Sequence, residues 1–459
     1  TIQEIKVVSA TKLIKNIINV KHSVIDDIQI SKSSDGIVSI EVYLHPIKSY
    51  SDRCPHCGKR CPIYDRSKTY KKWRALDCGG IIVELYARTQ RIDCETHGVV
   101  VASVPWAFHD SCFTKDFDLN AAYLAMNINK SVAAKYMRCD WKTIMRCISR
   151  TRDYLEPNIK ERFNGLENIG IDETSYRKGH KYVTVVVNHD NKTVVWVGLG
   201  HSTQTLSEFF ELLSEEQRST IKTVSGDGAK WIDVCINKYI PNATRCVDGF
   251  HVVTWGMEAL DNVGKEPWHS LNKDVKSLEN EHPRGRGRPS KEDEETSKKI
   301  AEAKDKAKQI KGSTFTVGKA PENLTQKQQV QLEFIAKTHK KLFRAYKLKE
   351  QLRLIFKFTD IEEAKAELDS FFWNATHSRI SYFKELAYKI RRHEGNVLNT
   401  IKTGLSNARV ESINNKIKLF IRKAYGFRNI QNMIDMIMLG CSNIFIPLPN
   451  RGGNDLKVA

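Results

Sequence analysis

Three acidic side chains stand where phosphate chemistry could be done. Asp172 closes the apolar run Ile169-Gly170-Ile171, Asp227 follows Thr223-Val224-Ser225-Gly226, and Glu411 sits within Ala408-Arg409-Val410-Glu411-Ser412. The first two therefore fall at the C-terminal ends of predicted strands, where open α/β sheets expose groups to ligands. Glu411 falls on a predicted helix, with Asn415, Lys418 and Arg422 on roughly the same face. Phosphodiester transfer needs an attacking oxygen activated and a leaving oxygen stabilised, and two divalent ions roughly 3.5–4 Å apart can do both. Magnesium takes hard oxygen ligands and keeps several waters, so two or three acids from separate elements suffice to hold it, with manganese as an alternative occupant. A single acid at a strand end equally well caps a helix or faces solvent, and spacing alone leaves both readings open.

A second set of residues suits a softer metal. Cys54-Pro55-His56-Cys57 and Cys94-Glu95-Thr96-His97 offer four ligands in two close pairs, the pattern of a closed tetrahedral site holding structural zinc. Strand-like stretches at Ile81–Tyr86 and Gln90–Ile92 precede the second pair, so the two pairs face each other across strands as in a zinc ribbon-like β element. Cys61 and Cys78 are alternative ligands.

The elements that position these groups form five segments. Residues 1–110 read as an N-terminal β and zinc-binding domain, opened by a hairpin around Ser33-Ser34-Asp35-Gly36. In 111–160 two short helices, with Ser131 and Asp140 at N-cap positions, suggest a helix-turn-helix. Its second helix opens with Trp141, Lys142, Thr143 and Arg146, the part that enters the major groove in such motifs. Residues 161–263 alternate as a three-strand meander followed by βαβ, the first part of an α/β core. Residues 264–400 turn polar, charged and helical, an insertion that opens near Pro283-Arg284-Gly285-Arg286-Gly287-Arg288-Pro289. Arg286 and Arg288 fit an AT-hook-like reader of a narrow minor groove, or a flexible basic linker. Residues 401–459 return to the core, with Lys416, Lys418 and Arg422 on the Glu411 helix suited to phosphates.

Bulk composition narrows the partner. Lys and Arg number 73 against 54 Asp and Glu, a net charge of +19 over 459 residues, which favours an extended polyanion, nucleic acid before a ribosomal or membrane-surface partner; the major-groove helix above narrows this to double-stranded DNA. The 11 cysteines are odd in number and dispersed, which argues against a secreted disulfide framework and for the cytoplasm. No stretch reads as a signal peptide or membrane span.

Longer strings around the acids carry a resemblance. Gly170-Ile171-Asp172-Glu173, Arg177-Lys178-Gly179-His180-Lys181-Tyr182, Val247-Asp248-Gly249-Phe250-His251-Val252-Val253, Val410-Glu411-Ser412-Ile413-Asn414-Asn415-Lys416-Ile417-Lys418 and Arg422-Lys423-Ala424-Tyr425-Gly426-Phe427-Arg428-Asn429 occur in that order. Together they closely resemble the ISL-type (ISL-three) family of insertion-sequence transposases. The resemblance implies an RNase H-like catalytic core interrupted by the helical insertion, and a metal-dependent DDE site. It also implies excision and integration of a mobile element through its terminal inverted repeats. Carried over by motif, Asp172, Asp227 and Glu411 are the three acids, with Asp248 the alternative second ligand. Otherwise Asp248 and His251 support the metal ligands from behind. Glu173 falls on the opposite side of a continuing strand and is not counted as a ligand. Two element ends must be brought together, so a homodimer or higher assembly is expected. A nuclease of the same fold that does not rejoin DNA, and a DNA-binding regulator without catalysis, are the alternatives.

Overall fold

The computed structural model describes residues 10–281, 295–302, 304, 315–405 and 408–448. Arg286 and Arg288, expected to be AT-hook-like, lie outside the described residues. Helix α1 (Ala10–Ile17) leads into a hairpin of β1 (Ser23–Lys32) and β2 (Val38–Pro46). Strand β2 runs parallel to β4 (Ile82–Cys94), which also pairs antiparallel with β3 (Ile63–Arg74) and β5 (Gly98–Val101). Alternate residues Val42, Leu44, Val83 and Leu85 are buried with Trp73 on one face of this sheet, the two-residue period of a half-covered sheet. The sequence reading splits β4 in two at Ala87-Arg88-Thr89, whereas the chain runs through unbroken, because β3, which that reading lacks, supplies a ladder partner along it.

Three helices follow: α2 (Lys115–Asn127), α3 (Lys130–Tyr136) and α4 (Trp141–Leu155). Asp140 caps α4 as expected, its side chain accepting from the Lys142 and Thr143 amides. The α3 cap is Asn129 and not Ser131, since the helix begins earlier and Asn129 accepts from the Ser131 amide.

The central sheet is built from β6 (Asn168–Arg177), β7 (Lys181–Asn188), β8 (Thr193–Leu199), β9 (Thr223–Gly226) and β10 (Thr244–Val247), in the order β10-β9-β6-β7-β8. The first three form an antiparallel meander, while β9 and β10 run parallel to β6. Helices α5 (Thr203–Leu212), α6 (Glu215–Ser219) and α7 (Lys230–Tyr239) connect the last strands. Ile169, Ile171 and Val186 share a core with Phe209, Phe210 and Ile232 from α5 and α7. Val183, Val185 and Val187 enter a second core on the opposite face. Because β7 is covered on both sides, its sequence is an almost unbroken apolar run.

Helix α8 (Gly249–Glu281) leaves directly from β10. With α9 (Gln326–Thr338), α10 (Lys340–Ile355), α11 (Ile361–His377), α12 (Ser381–Arg391) and α13 (Glu394–Thr403) it builds a helical body with its own core around Phe371, Phe372, Phe383 and Leu352. Its last helix returns to the strand its first one left: the Thr400 hydroxyl donates to the Val247 carbonyl at 2.7 Å, and the Asn399 amide to the Arg245 carbonyl at 3.1 Å.

Helices α14 (Ala408–Lys423) and α15 (Ile430–Cys441) then close the second face of the central sheet. Val410, Ile413, Ile417, Met433 and Met436 share one core with Ala125, Ile144 and Ile148 of α2 and α4. The helices at 115–155 are therefore packed as a layer of the central body. Gly170 makes the crossing of α14 over β6 possible, since a Cβ there would lie 2.7 Å from both Val410 Cγ2 and His189 Nε2. Among the described residues no helix is long and apolar enough to cross a membrane.

Candidate functional sites: a zinc cluster and a carboxylate cleft

Cys54, Cys57, Cys94 and His97 converge, with all four ligand atoms within 4.8 Å of one another. Cys54 and Cys57 lie on the loop before β3; Cys94 ends β4, and His97 lies in the turn into β5. The edges of this arrangement are 3.6 Å from Cys54 Sγ to His97 Nδ1, 3.7 Å from Cys57 Sγ to Cys94 Sγ, and 3.5 Å from Cys94 Sγ to His97 Nδ1. A tetrahedron with zinc–sulfur bonds of about 2.3 Å has edges of about 3.7 Å, so the donor set and its size both fit zinc. The His97 hydrogen bond, with backbone amides, pulls the Cys94 thiol down to about 6, favouring the thiolate a metal requires. Cys61 takes no place in the cluster: its Sγ donates to the Lys59 carbonyl at 3.5 Å, and burial pushes its thiol up to about 11. Cys78 is likewise not among the converging ligands.

The second site lies where the parallel strands end. Asp172 does not end its strand as expected: β6 runs on to Arg177 because β7 pairs with it past Asp172, and only the parallel pairing with β9 stops at Gly170. Asp172 lies on the face covered by α14, Asp227 directly follows β9 and Asp248 directly follows β10. Burial pushes the Asp172 carboxyl up, and the charges of Asp227 and Asp248 push it further, against the Glu173 amide and His251, which favour the ionised form. Asp172 Oδ1 accepts from the Glu173 amide at 2.8 Å, and Oδ2 accepts from the Asn414 side-chain amide at 2.6 Å. Asp227 is half-buried, its Oδ1 accepting from the Ala229 amide at 3.0 Å. Arg245 fixes the loop from below, donating to the Asp227 carbonyl and, at 2.9 Å, to the Asp233 carboxylate. Asp248 is 7% exposed, with His251 Nε2 at 4.0 Å. Glu411 is exposed and lies with Asp248 on the wall of a cleft of about 750 Å³, whose far side is Phe356, Lys357 and Phe358 of the helical body. An acid beside two others in a partly desolvated pocket is under a repulsion that a divalent cation relieves; among the described residues, however, only the Cys54, Cys57, Cys94 and His97 ligand atoms lie close enough together to share one ion as they stand.

One residue of this site was missed by sequence reasoning, and one that it set aside lies close by. Asn414, 5% exposed, is the link between the Glu411 helix and Asp172; its signal was its place three residues after Glu411, one turn along the same helix. Glu173 does alternate to the other face of β6. Yet burial and the nearby Asp227 charge raise its carboxyl, and its buried Oε2 has no hydrogen-bond partner among the described residues.

The residues expected to meet DNA divide by exposure. Trp141, Lys142 and Arg146 are exposed on α4, whereas Thr143 is buried and spends its hydroxyl on Asp140 at 2.8 Å. On α14, Lys418 and Arg422 share the exposed face of Glu411. Lys416 is half-buried on another side, close enough to Cys441 of α15 for its charge to be felt there.

A zinc cluster of this kind ahead of capped basic helices, a mixed sheet with acids at its parallel-strand ends and a returning helix with a further acid is the layout of a transposase. Residues 169–437 match the DDE transposase family of ISL3 type, and residues 51–97 match the zinc-finger of the IS204/IS1001/IS1096/IS1165 transposases. A transposase for insertion sequence element IS1557 from Mycobacterium tuberculosis is 38% identical over 433 residues, covering 94% of this chain and 95% of that protein. A transposase for insertion sequence element IS1001 from Bordetella parapertussis is 25% identical over 394 residues, 85% of this chain and 89% of that one. The chain belongs to the ISL3 family of transposases.

Proposed function

We propose that this chain binds the terminal inverted repeats of its own insertion sequence and catalyses metal-dependent strand cleavage and strand transfer, with Asp172, Asp227 and Glu411 as the metal-holding acids. The observation that carries the reading is the convergence on Asp172: two acids from neighbouring parallel-strand ends bear on its charge, and Asn414 binds it to the helix of Glu411. The β10-β9-β6-β7-β8 order, an antiparallel meander extended by two parallel strands, supports an RNase H-like core. Magnesium held by these acids supplies activation of an attacking oxygen and stabilisation of a leaving one. Asn414 orients Asp172, Arg245 holds the Asp227 loop, and Asp248 with His251 backs the acids. The carboxylates act as ligands and not as nucleophiles, so no covalent protein–DNA intermediate forms. Helices α3 and α4 act as a helix-turn-helix in which Trp141, Lys142 and Arg146 meet the DNA. Thr143 is left out because it is buried and its hydroxyl donates to Asp140, the helix cap. Lys418 and Arg422 contact phosphates near Glu411, and two chains assemble to pair two element ends.

The test is incubation with a duplex carrying the DNA that flanks the encoding gene, with and without magnesium, followed by mapping of new 3′ ends and of joined products. Magnesium-dependent nicks at the element ends, joined products from pre-cut ends, and loss of both in Asp172→Asn are expected. Cleavage without any joined product would make the chain a nuclease, and an active Asp172→Asn would remove the carboxylate mechanism.

A further inference from the structure

The groove beside α4 has a second wall that comes from far along the chain. Lys142 and Arg146 on α4 and Lys130 on α3 face Phe427 and Arg428 of the loop joining α14 to α15, across a groove of about 510 Å³ that also takes in Trp141. Asp153 is the one acidic side chain among the groove's lining residues. The loop is set in place by specific contacts. Lys130 Nζ sits 4.3 Å from the centre of the Phe427 ring, the Asn129 amide donates to the Lys423 carbonyl at 2.6 Å, and Lys423 Nζ donates to the Asn127 carbonyl at 3.2 Å. Arg428 is exposed at its rim. Tyr425 is 90% exposed and, like Gly426, held at positive φ, +51° and +87°, a strained backbone that turns an aromatic ring into solvent.

We infer that the loop 424–429 and helix α4 form one DNA-binding groove, with Arg428 and Lys142 on opposite walls gripping the phosphate backbone of the same duplex. The occupant is a polyanion because lysine and arginine on both walls face a single acid. It is a nucleic-acid backbone because Lys130, Lys142, Arg146 and Arg428 line one groove from three elements, a row of cations suited to successive phosphates. The loop is the direct continuation of the Glu411 helix, so a duplex seated here is held in register with the acid of α14. The inference rests on the reading of α4 as a DNA-contacting helix and extends it to a segment nearly 300 residues away.

The test measures anisotropy of a labelled duplex from the gene-flanking DNA over a series of salt concentrations, for the full chain and for Arg428→Ala, Lys142→Ala and the double variant. Each lost phosphate contact lowers the slope of log affinity against log salt by about 0.9. Arg428→Ala and Lys142→Ala should each show that loss with a several-fold weaker affinity, and the double variant both losses. Thermal melting and zinc content equal to the parent's establish that the exposed substitutions leave the fold intact. If Lys142→Ala weakens binding while Arg428→Ala keeps the parent's affinity and slope, the shared groove is overturned and the role of α4 stands; an acidic protein segment as occupant would give this result. If neither substitution matters, the reading of α4 fails and the inference with it.

Discussion

Replacing Asn414 with alanine removes the 2.6 Å hydrogen bond from its side-chain amide to Asp172 Oδ2. The carboxyl it serves is already disfavoured as an anion by burial and by Asp227 and Asp248. Hydrogen bonds to charged groups contribute about 1.5–3 kcal/mol. If that contribution is felt in the reacting state, cleavage slows by about 10- to 150-fold, at about 1.4 kcal/mol per factor of ten. Asn414→Asp should do worse, because it replaces a donor with a like charge against Asp172. The assay is single-turnover nicking of a terminal-repeat duplex at saturating magnesium, with duplex affinity measured alongside to show that binding is retained. Magnesium above the concentration that saturates the parent should recover part of the alanine variant's rate and less of the aspartate variant's. Folded, DNA-bound Asn414→Ala that cleaves at the parent's rate would refute the argument that α14 orients Asp172.

Two further outcomes follow from the sites. The purified chain should carry one zinc by elemental analysis, and His97→Ala or Cys57→Ser should lose it on dialysis against a chelator and melt earlier; retention of tightly held zinc in both would dissolve the assigned cluster. The raised carboxyl of Asp172 means that the metal-free native state holds this proton more tightly than the unfolded chain does. Its stability should therefore fall as pH rises from the ordinary carboxylate range, near about 4, through the raised native value. Asp172→Asn should flatten that slope and, in a chelator at neutral pH, melt above the parent, while magnesium should raise the melting point of the parent alone. A variant that melts at or below the parent under those conditions would contradict the burial and charge argument.

The zinc ligands and the central sheet were legible because their signals are local. Paired Cys and His with two residues between them need only a turn, and the meander and βαβ of 168–247 announce themselves by two-residue alternation and the amphipathic Lys230–Tyr239 stretch. Strand β3 escaped because its faces are mostly polar and exposed, with Trp73 as its one deeply buried apolar side chain. Asn414 escaped for a different reason. Helical periodicity placed Asn415, Lys418 and Arg422 beside Glu411 correctly on the exposed face, but which buried polar group meets Asp172 is decided by how α14 crosses β6, and Gly170 sets that approach. The layered packing of α2 and α4 with α14 and α15 was hidden too, because a capped helix pair looks the same whether it floats free or shares a core. Thr143 illustrates the limit: position in α4 suggested a reader, and only the Asp140 contact shows the hydroxyl occupied.

The bond between Asp172 and Asn414 spans 242 residues of chain. A ribosome adding about 5–20 residues per second takes about 12–50 s to cover that interval. Throughout this time the nascent polypeptide has the residues of its amino-terminal metal cluster and, after the first few seconds, those of the meander, but lacks the helix that carries Glu411 and roofs the valines of β7. A cutting enzyme that could act while half-made would endanger the chromosome from which its message was copied. On the carboxylate mechanism proposed above, the order of synthesis itself serves as a safety catch, released only when the final helices emerge and fold back across the sheet.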